Sequence, residues 1–309
     1  MSCIYPIGGG KGGIGKSFIA ANLGVLLARQ GYPVVLVDLD LGGANLHTFT
    51  GMTHVKVGME AFLNKSVKNL KDVVVPTNIN NLSMISSVNC SMEIANLSAA
   101  QKNKIINALM KLPYEYVLLD LGAGTNYNTL DFFLSSYEGI ITLTPEPTAV
   151  ENAFKFIKSL YFRKVKQVLG QNDFKLYSQQ VEMSSNALEV TSQVIDSVLE
   201  KDPEKGELLL QELKKFKFKF IINQFRKTTG TKLGEKIEKV CNKHFYSEFQ
   251  FLGNVCYDER VHDSIFSKNI FVNKYSFTVS AIDLSHIVAK IQGNREVSSL
   301  HSLERYERL

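Results

Sequence analysis

The chain has 309 residues, with 35 basic against 30 acidic side chains and a formal net charge of +5. Its 45% hydrophobic content and modest glycine and proline counts describe an ordinary folding sequence, which excludes disordered and fibrous classes. The small positive excess permits an anionic partner without requiring one. Cys3, Cys90, Cys241 and Cys256 contain no CxxC pair. That spacing argues against a zinc knuckle, a redox dithiol and an iron–sulfur cluster, and suits a reducing compartment. No apolar run approaches the ~18 residues of a membrane span, so the expected location is the cytoplasm.

In chain order, short apolar runs alternate with longer segments of helical period. Strands are expected at Cys3–Ile7, Val34–Val37, Val73–Val75, Leu82–Ile85, Tyr116–Leu119, Gly139–Leu143 and Lys219–Ile222. Helices are expected at Ser17–Gln30, Ala99–Lys111, Thr125–Leu134 and Thr148–Tyr161, the second opened by a Ser98/Gln101 capping box. Continuous apolar strands are buried on both faces, so the pattern predicts an α/β three-layer fold with a mostly parallel sheet. Residues 162–217 are richer in Gln, Glu, Lys and Ser and read as a helical insertion, with helices near Val190–Leu199 and Glu204–Phe216. The expected organisation is one domain over 1–293 with a polar tail over 294–309.

The stretch Gly10-Lys11-Gly12-Gly13-Ile14-Gly15-Lys16-Ser17 fits GxxxxGK[ST] and sits between a strand and an apolar helix that continues with Phe18. Glycines let successive N–H groups turn toward one anion, and the helix start adds its positive end. Lys16 supplies a point charge for phosphates, and the Ser17 hydroxyl is a hard ligand suited to Mg²⁺. Asp38 and Asp40 close an apolar strand on alternate positions, so both side chains leave on one side. Tyr116–Asp120 repeats the design with a single acid at its end. At the carboxyl edge of a parallel sheet these acids face the phosphate loop. After Asn223 no aspartate follows in the spacing that reads guanine, which favours ATP over GTP.

With a second lysine, Lys11, five positions before Lys16, the loop resembles the deviant Walker A of the MinD/ParA-like ATPases. The resemblance covers roughly residues 3–160 and 218–291. It implies a P-loop NTPase fold, ATP and Mg²⁺ as ligands, and an ATP-dependent homodimer in which Lys11 reaches the partner's nucleotide. It further implies that Asp38 and Asp120 serve the metal with Ser17, and that Asp40 orients the attacking water. Gly42–Leu46 and Asp120–Gly124 resemble the two switch segments, Gly122 standing where the family often has proline. Asn223 aligns with the adenine-contacting asparagine. Asp258, in Leu252–Asp258, lies in a second lip of the base pocket, where an ordinary helix cap before Glu259–Ile265 is the other reading. Glu146, in Thr144–Thr148, borders the dimer interface and the partner's ribose.

Within that family, the segments Asp40–His47 and Gly253–Asp258 look most like the flagellar-number (FlhG/FleN) branch. This implies a switch that regulates the number or placement of a cellular structure, with a flagellar or polarity factor as protein partner. Peripheral docking at the membrane or cell pole belongs to the same expectation. In the tail, Val297, Leu300, Leu303 and Tyr306 recur every three residues and drift around a helix rather than holding one face. Basic residues cluster at Arg163, Lys164 and Lys166, and again at Lys214, Lys215, Lys217 and Lys219. A solvated rim and nonspecific DNA contact, as in a ParA-type partitioning ATPase, are both open for them. An ATP-dependent ligase or amidotransferase of the same superfamily is a further alternative.

Overall fold

Along Val34–Leu39 (β2) every residue is buried, and sequence neighbours face opposite ways. Val35, Val37 and Leu39 enter one apolar core, while Val34 and Leu36 enter another. Tyr116–Leu121 (β5) divides in the same manner, so the sheet is a middle layer with a core on each side. The computed structural model describes residues 2–52, 57–88, 90, 97–178, 187–226, 230 and 232–306.

The remaining strands are β1 (Cys3–Gly8), β3 (Val75–Pro76), β4 (Leu82–Ile85), β6 (Ile140–Leu143), β7 (Lys217–Phe225) and β8 (Glu248–Cys256). They form one sheet in the order β3-β4-β2-β5-β1-β6-β7-β8. All neighbours run parallel except the short edge pair β3 and β4. The chain is thus an α/β protein of the expected class. Beneath one face lie α1 (Lys16–Arg29), α12 (Phe271–Lys274) and α13 (Val279–Tyr306). Small helices α2 (Leu46–Phe49), α3 (Met59–Leu63) and α11 (Arg260–Phe266) fill loops at the edges. Packed against the other face are α4 (Ala99–Leu109), α5 (Tyr127–Phe133), α6 (Pro147–Leu169), α8 (Ala187–Lys201), α9 (Pro203–Lys214) and α10 (Leu233–His244), with α7 (Gln171–Ser178) against α6.

Helix α1 is apolar almost all round because it lies between the sheet and α13. Its one buried amide, Asn22, donates to the Phe18 carbonyl at 2.7 Å and accepts from the Val272 N–H at 3.1 Å. That pair of bonds pins α12 against the helix that carries the phosphate loop. Helix α4 opens on the expected capping box. The Gln101 N–H donates to Ser98 Oγ at 3.2 Å, and the Ser98 N–H donates to Gln101 Oε1 at 2.9 Å.

Several local expectations shift. Val73 ends a 3-10 turn (Leu70–Val73), and the strand there is only Val75–Pro76. Residue 162 is mid-helix, since α6 runs unbroken from Pro147 to Leu169 and its apolar stripe extends past Tyr161 to Val165 and Leu169. The segment after it is tied to the main core through Val194, Ile195, Val198, Leu209 and Leu213. Residue 294 likewise falls inside α13, whose backbone is helical to Tyr306, while the side chains at Val297, Leu300, Leu303 and Tyr306 lie outside the described residues. Leu252–Cys256 belongs to a strand, β8, beside β7.

The basic clusters are largely neutralised internally. Arg163 binds Asp131, and Lys164 and Lys215 both bind Glu212. Lys219 is 3% exposed, under cover because β7 is an inner strand, and its ammonium bonds Glu138 at 2.9 Å. The wet face expected of that strand does not extend to it.

Candidate functional site

β1 delivers the chain to the centre of the sheet edge, and residues 9–15 wrap there before α1 begins at Lys16. Gly15 caps the helix at φ 88°, a left-handed conformation that glycine adopts without steric cost. A Cβ on Gly15 would stand 2.2 Å from Asn223 Nδ2. That closeness is purposeful: Asn223 Nδ2 donates to the Ile14 carbonyl at 2.9 Å, and Gln224 Nε2 donates to the Gly13 carbonyl at 3.0 Å. Two carboxamides at the end of β7 therefore hold the back of the loop, turning carbonyls outward toward β7. The second switch-like segment closes the opposite side, where the Gly124 N–H donates to the Gly9 carbonyl at 3.3 Å.

Lys16 is 8% exposed, and burial lowers its pKa while Asp120 and Asp40 pull it back up. Lys11, by contrast, lies on the exposed outer arm of the loop with Gly12 and Gly13. Among the described residues no acid pairs with it. Lys16 is thus a charge held inside the site, and Lys11 a charge presented outward.

Asp38 and Asp120 are direct register partners on β2 and β5. Asp38 Oδ1 accepts the Asp40 N–H at 3.1 Å and Oδ2 accepts the Leu46 N–H at 3.3 Å, so this carboxylate folds the Asp40–Leu46 loop back over the strand end. Burial, with Asp120 beside it, pushes Asp38 well above the ordinary carboxylate range. Both Asp120 oxygens are buried without a hydrogen-bond partner in bonding geometry. Burial pushes Asp120 up to about 7, against the pull of the Ser17 hydroxyl and the Lys16 ammonium. A fully buried carboxylate this sparsely compensated is costly unless a cation or ordered water completes it. Asp40 sits over Gly122, its Oδ1 only 3.1 Å from where a Cβ would project. Asp40 and Gly122 also share a cavity of about 630 Å³ with Lys102 and Thr125–Thr129.

Behind the loop lies a smaller cavity of about 290 Å³, walled by Gly13, Gly15, Phe18, Asn223, Gln224 and Asp258 among others. Asp258 does not offer a free carboxylate to it. Arg260 takes both oxygens, at 2.8 and 2.9 Å, and its own N–H donates to Oδ1 at 3.0 Å. Burial alone would raise Asp258, but the Arg260 bonds outweigh it and hold the carboxyl below the usual range. Glu146 is exposed at the N-cap of α6, its carbonyl receiving the Ala149 and Val150 N–H groups at 2.9 and 3.0 Å. Among the described residues no group of three His, Cys, Asp or Glu forms a metal-binding cluster, so a cation here would depend on the hydroxyl of Ser17.

Sequence reasoning missed Gln224, Phe49 and His262, which also line or clamp this cavity. Gln224 carried a usable signal, since it directly follows Asn223. It takes φ 55°, and that twist lets two consecutive side chains reach the same loop. Phe49 and His262 lie in separate short helices, and nothing local marks them.

A family model described as the CobQ/CobB/MinD/ParA nucleotide binding domain matches residues 6–271. The septum site-determining protein MinD of Synechocystis sp. is 31% identical over 159 residues, 51% of this chain and 59% of that protein. The antiactivator FleN of Pseudomonas aeruginosa is 26% identical over 159 residues, 51% and 56% of the two chains. The chain thus spans little more than half the length of the curated relatives it matches. The solved structure of MinD complexed with Mg-ADP from Pyrococcus horikoshii is similar in fold, with a TM-score of 0.65 at 20% identity. That likeness covers 94% of this chain and 96% of that one.

Proposed function

Because the chain belongs to the CobQ/CobB/MinD/ParA nucleotide-binding family, we propose that it is an ATPase that dimerises around bound ATP. By this switch it regulates the number or placement of a cellular structure, flagella before septum. The observation that carries the reading is the division of labour between two lysines of one loop: Lys16 is enclosed beside Asp120, and Lys11 is exposed without an acid. A lysine enclosed with phosphates neutralises its own subunit's nucleotide. A lysine presented outward is placed to neutralise another's, and a desolvated charge contact of that kind can be worth about 1.5–7 kcal/mol.

The donor set fits a hard divalent cation. Ser17 and Asp120 would hold Mg²⁺, with Asp38 behind them, and the ion would supply compensation for phosphate charge. The chain's own residues do the remaining work. Loop N–H groups and Lys16 hold the phosphates, Asn223 and Gln224 keep the loop wrapped, and Asp40 positions a water at the rim beside Gly122. Catalysis in this reading is positioning and charge stabilisation. The locked state of Asp258 favours adenine, because a carboxylate occupied by Arg260 is not available to accept from a guanine edge.

The site is proposed to act in the cytoplasm, docking peripherally at a membrane or pole through a protein partner. Among the described residues no helix is long and apolar enough to cross a membrane. Nonspecific DNA binding through Arg163, Lys164, Lys166, Lys214, Lys215, Lys217 and Lys219 has less support, since Arg163, Lys164, Lys215 and Lys219 each have an acid partner in the chain, and it would rest on Lys166, Lys214 and Lys217. ATP turnover measured against protein concentration tests the proposal. Specific activity should rise cooperatively for the unaltered chain and stay flat for Lys11→Ala, which should still bind ATP. Cooperative turnover in Lys11→Ala would overturn it.

A further inference from the structure

Away from the nucleotide site, the far end of α4 and the Leu70–Val73 turn enclose a groove of about 520 Å³. Lys68, Lys71, Lys104 and Lys111 line it, above the almost fully buried core side chains Phe62, Leu70 and Leu112 and the half-buried Ala108. Lys68, Lys71 and Lys111 are exposed, and among the described residues none of the three has an ion-pair partner. Lys104 is half buried, its ammonium donating to the Phe62 carbonyl at 2.8 Å and standing 4.0 Å over the Phe62 ring. Asp72, the acid next to Lys71, accepts from the Asn69 amide at 3.0 Å. In the 163–219 set, by contrast, Arg163, Lys164, Lys215 and Lys219 are each paired with an acid of the chain.

We propose that this groove is a docking site for an acidic peptide segment of a partner protein, with its carboxylates against the lysine rim and its backbone lying in the groove over Ala108. The concave groove disfavours a flat lipid surface. It also disfavours nucleic acid, because among the described lining residues the one aromatic ring, Phe62, is buried beneath Lys104 and leaves no face for a base to stack on. Lysine ammonium groups, as point charges on flexible stems, suit carboxylates spaced along an extended segment. The groove is also separable from nucleotide chemistry. Lys102, near the start of α4, borders the cavity shared by Asp40 and Gly122, whereas Asn107, Ala108 and Lys111 border the groove at its other end.

Fluorescence anisotropy of the full chain with a labelled peptide of alternating Glu and Leu or Phe tests this. The same peptide with Gln for Glu, a short DNA duplex and phosphatidylglycerol vesicles serve as the other probes. The acidic peptide should bind and weaken as salt is raised through ~0.15 M, where the Debye length is ~8 Å. It should lose at least about tenfold in affinity, ~1.4 kcal/mol, in the K68E/K71E/K111E variant, with ATP binding unchanged. No binding of the acidic peptide would overturn the proposal. So would binding indifferent to the charge reversal, or lysine-dependent binding of the duplex or vesicles in its place.

Discussion

Asp38 and Asp120 stand opposite one another on neighbouring parallel strands, both in the interior, yet only Asp38 is satisfied by hydrogen bonds. Asp38 ties down the Asp40–Leu46 loop, while neither Asp120 oxygen meets a donor in full bonding geometry and only the nearby Ser17 hydroxyl and Lys16 ammonium offset its burial. A carboxylate so placed costs stability that a bound cation would restore. The two acids therefore look alike in sequence and have different duties.

Asp120→Asn should consequently stabilise the nucleotide-free chain while removing cation-dependent nucleotide binding. A gain of ~1 kcal/mol corresponds to a rise of ~2 °C in Tm for a chain of this size. Thermal unfolding with and without Mg²⁺ and ATP checks both halves. A nucleotide-free variant less stable than the parent would show that Ser17 and Lys16 already compensate the Asp120 charge.

Gly15→Ala should abolish nucleotide binding and lower stability by about 1–3 kcal/mol, the usual cost of forcing a side chain into a left-handed, crowded position. Asn223→Ala removes the donor without the strain and leaves the Ile14 carbonyl short of a partner, a loss of about 1–3 kcal/mol. Calorimetric titration with ATP should therefore rank the parent above Asn223→Ala and Asn223→Ala above Gly15→Ala. A reversal of the last two would mean that the loop holds its shape without the β7 clamp.

Asp131 is the hub of a buried ion cluster that sequence reasoning did not reveal. Lys102 of α4 and Arg163 of α6 both bind it, the latter through Nε at 2.6 Å and Nη2 at 2.8 Å, and Gln167 adds a bond at 3.2 Å. Burial by itself would raise this carboxyl, but the Arg163 and Lys102 bonds outweigh burial and hold it below its ordinary value. Asp131→Ala leaves Lys102 buried without compensation and should cost about 3–5 kcal/mol. Because the folded pKa is depressed, the stabilisation is complete above the unfolded value of 3.8 and is lost as pH falls below it toward the folded pKa. Denaturant titrations between pH 3 and 7 should show parent and variant converging only at the acid end. A constant gap would contradict the linkage.

What the sequence made legible was whatever a few adjacent residues decide together. The strand–loop–helix around Lys16, the acids closing two apolar strands and the Ser98 capping box all depend on neighbours within a turn or two. The misreadings involve partners far apart in the chain. Lys219 lies 81 positions from Glu138, and without that acid its alternation with phenylalanines reads as a wet strand face. Gln224 needed a backbone twist, and Asp131 needed α4 and α6 side by side. β8 sets Gly253 and Asn254 between the core residues Leu252 and Val255, so its composition resembles a loop while its pairing with β7 makes it a strand.

The central claim is that ATP joins two copies of this chain through Lys11. Light scattering on the purified protein with saturating Mg²⁺ and a non-hydrolysable ATP analogue measures it directly. The expected result is a mass twice the 34.6 kDa chain, falling to a single chain without nucleotide and in Lys11→Ala. A single-chain mass for the unaltered protein under the analogue, or a dimer indifferent to nucleotide and to Lys11, would contradict the account.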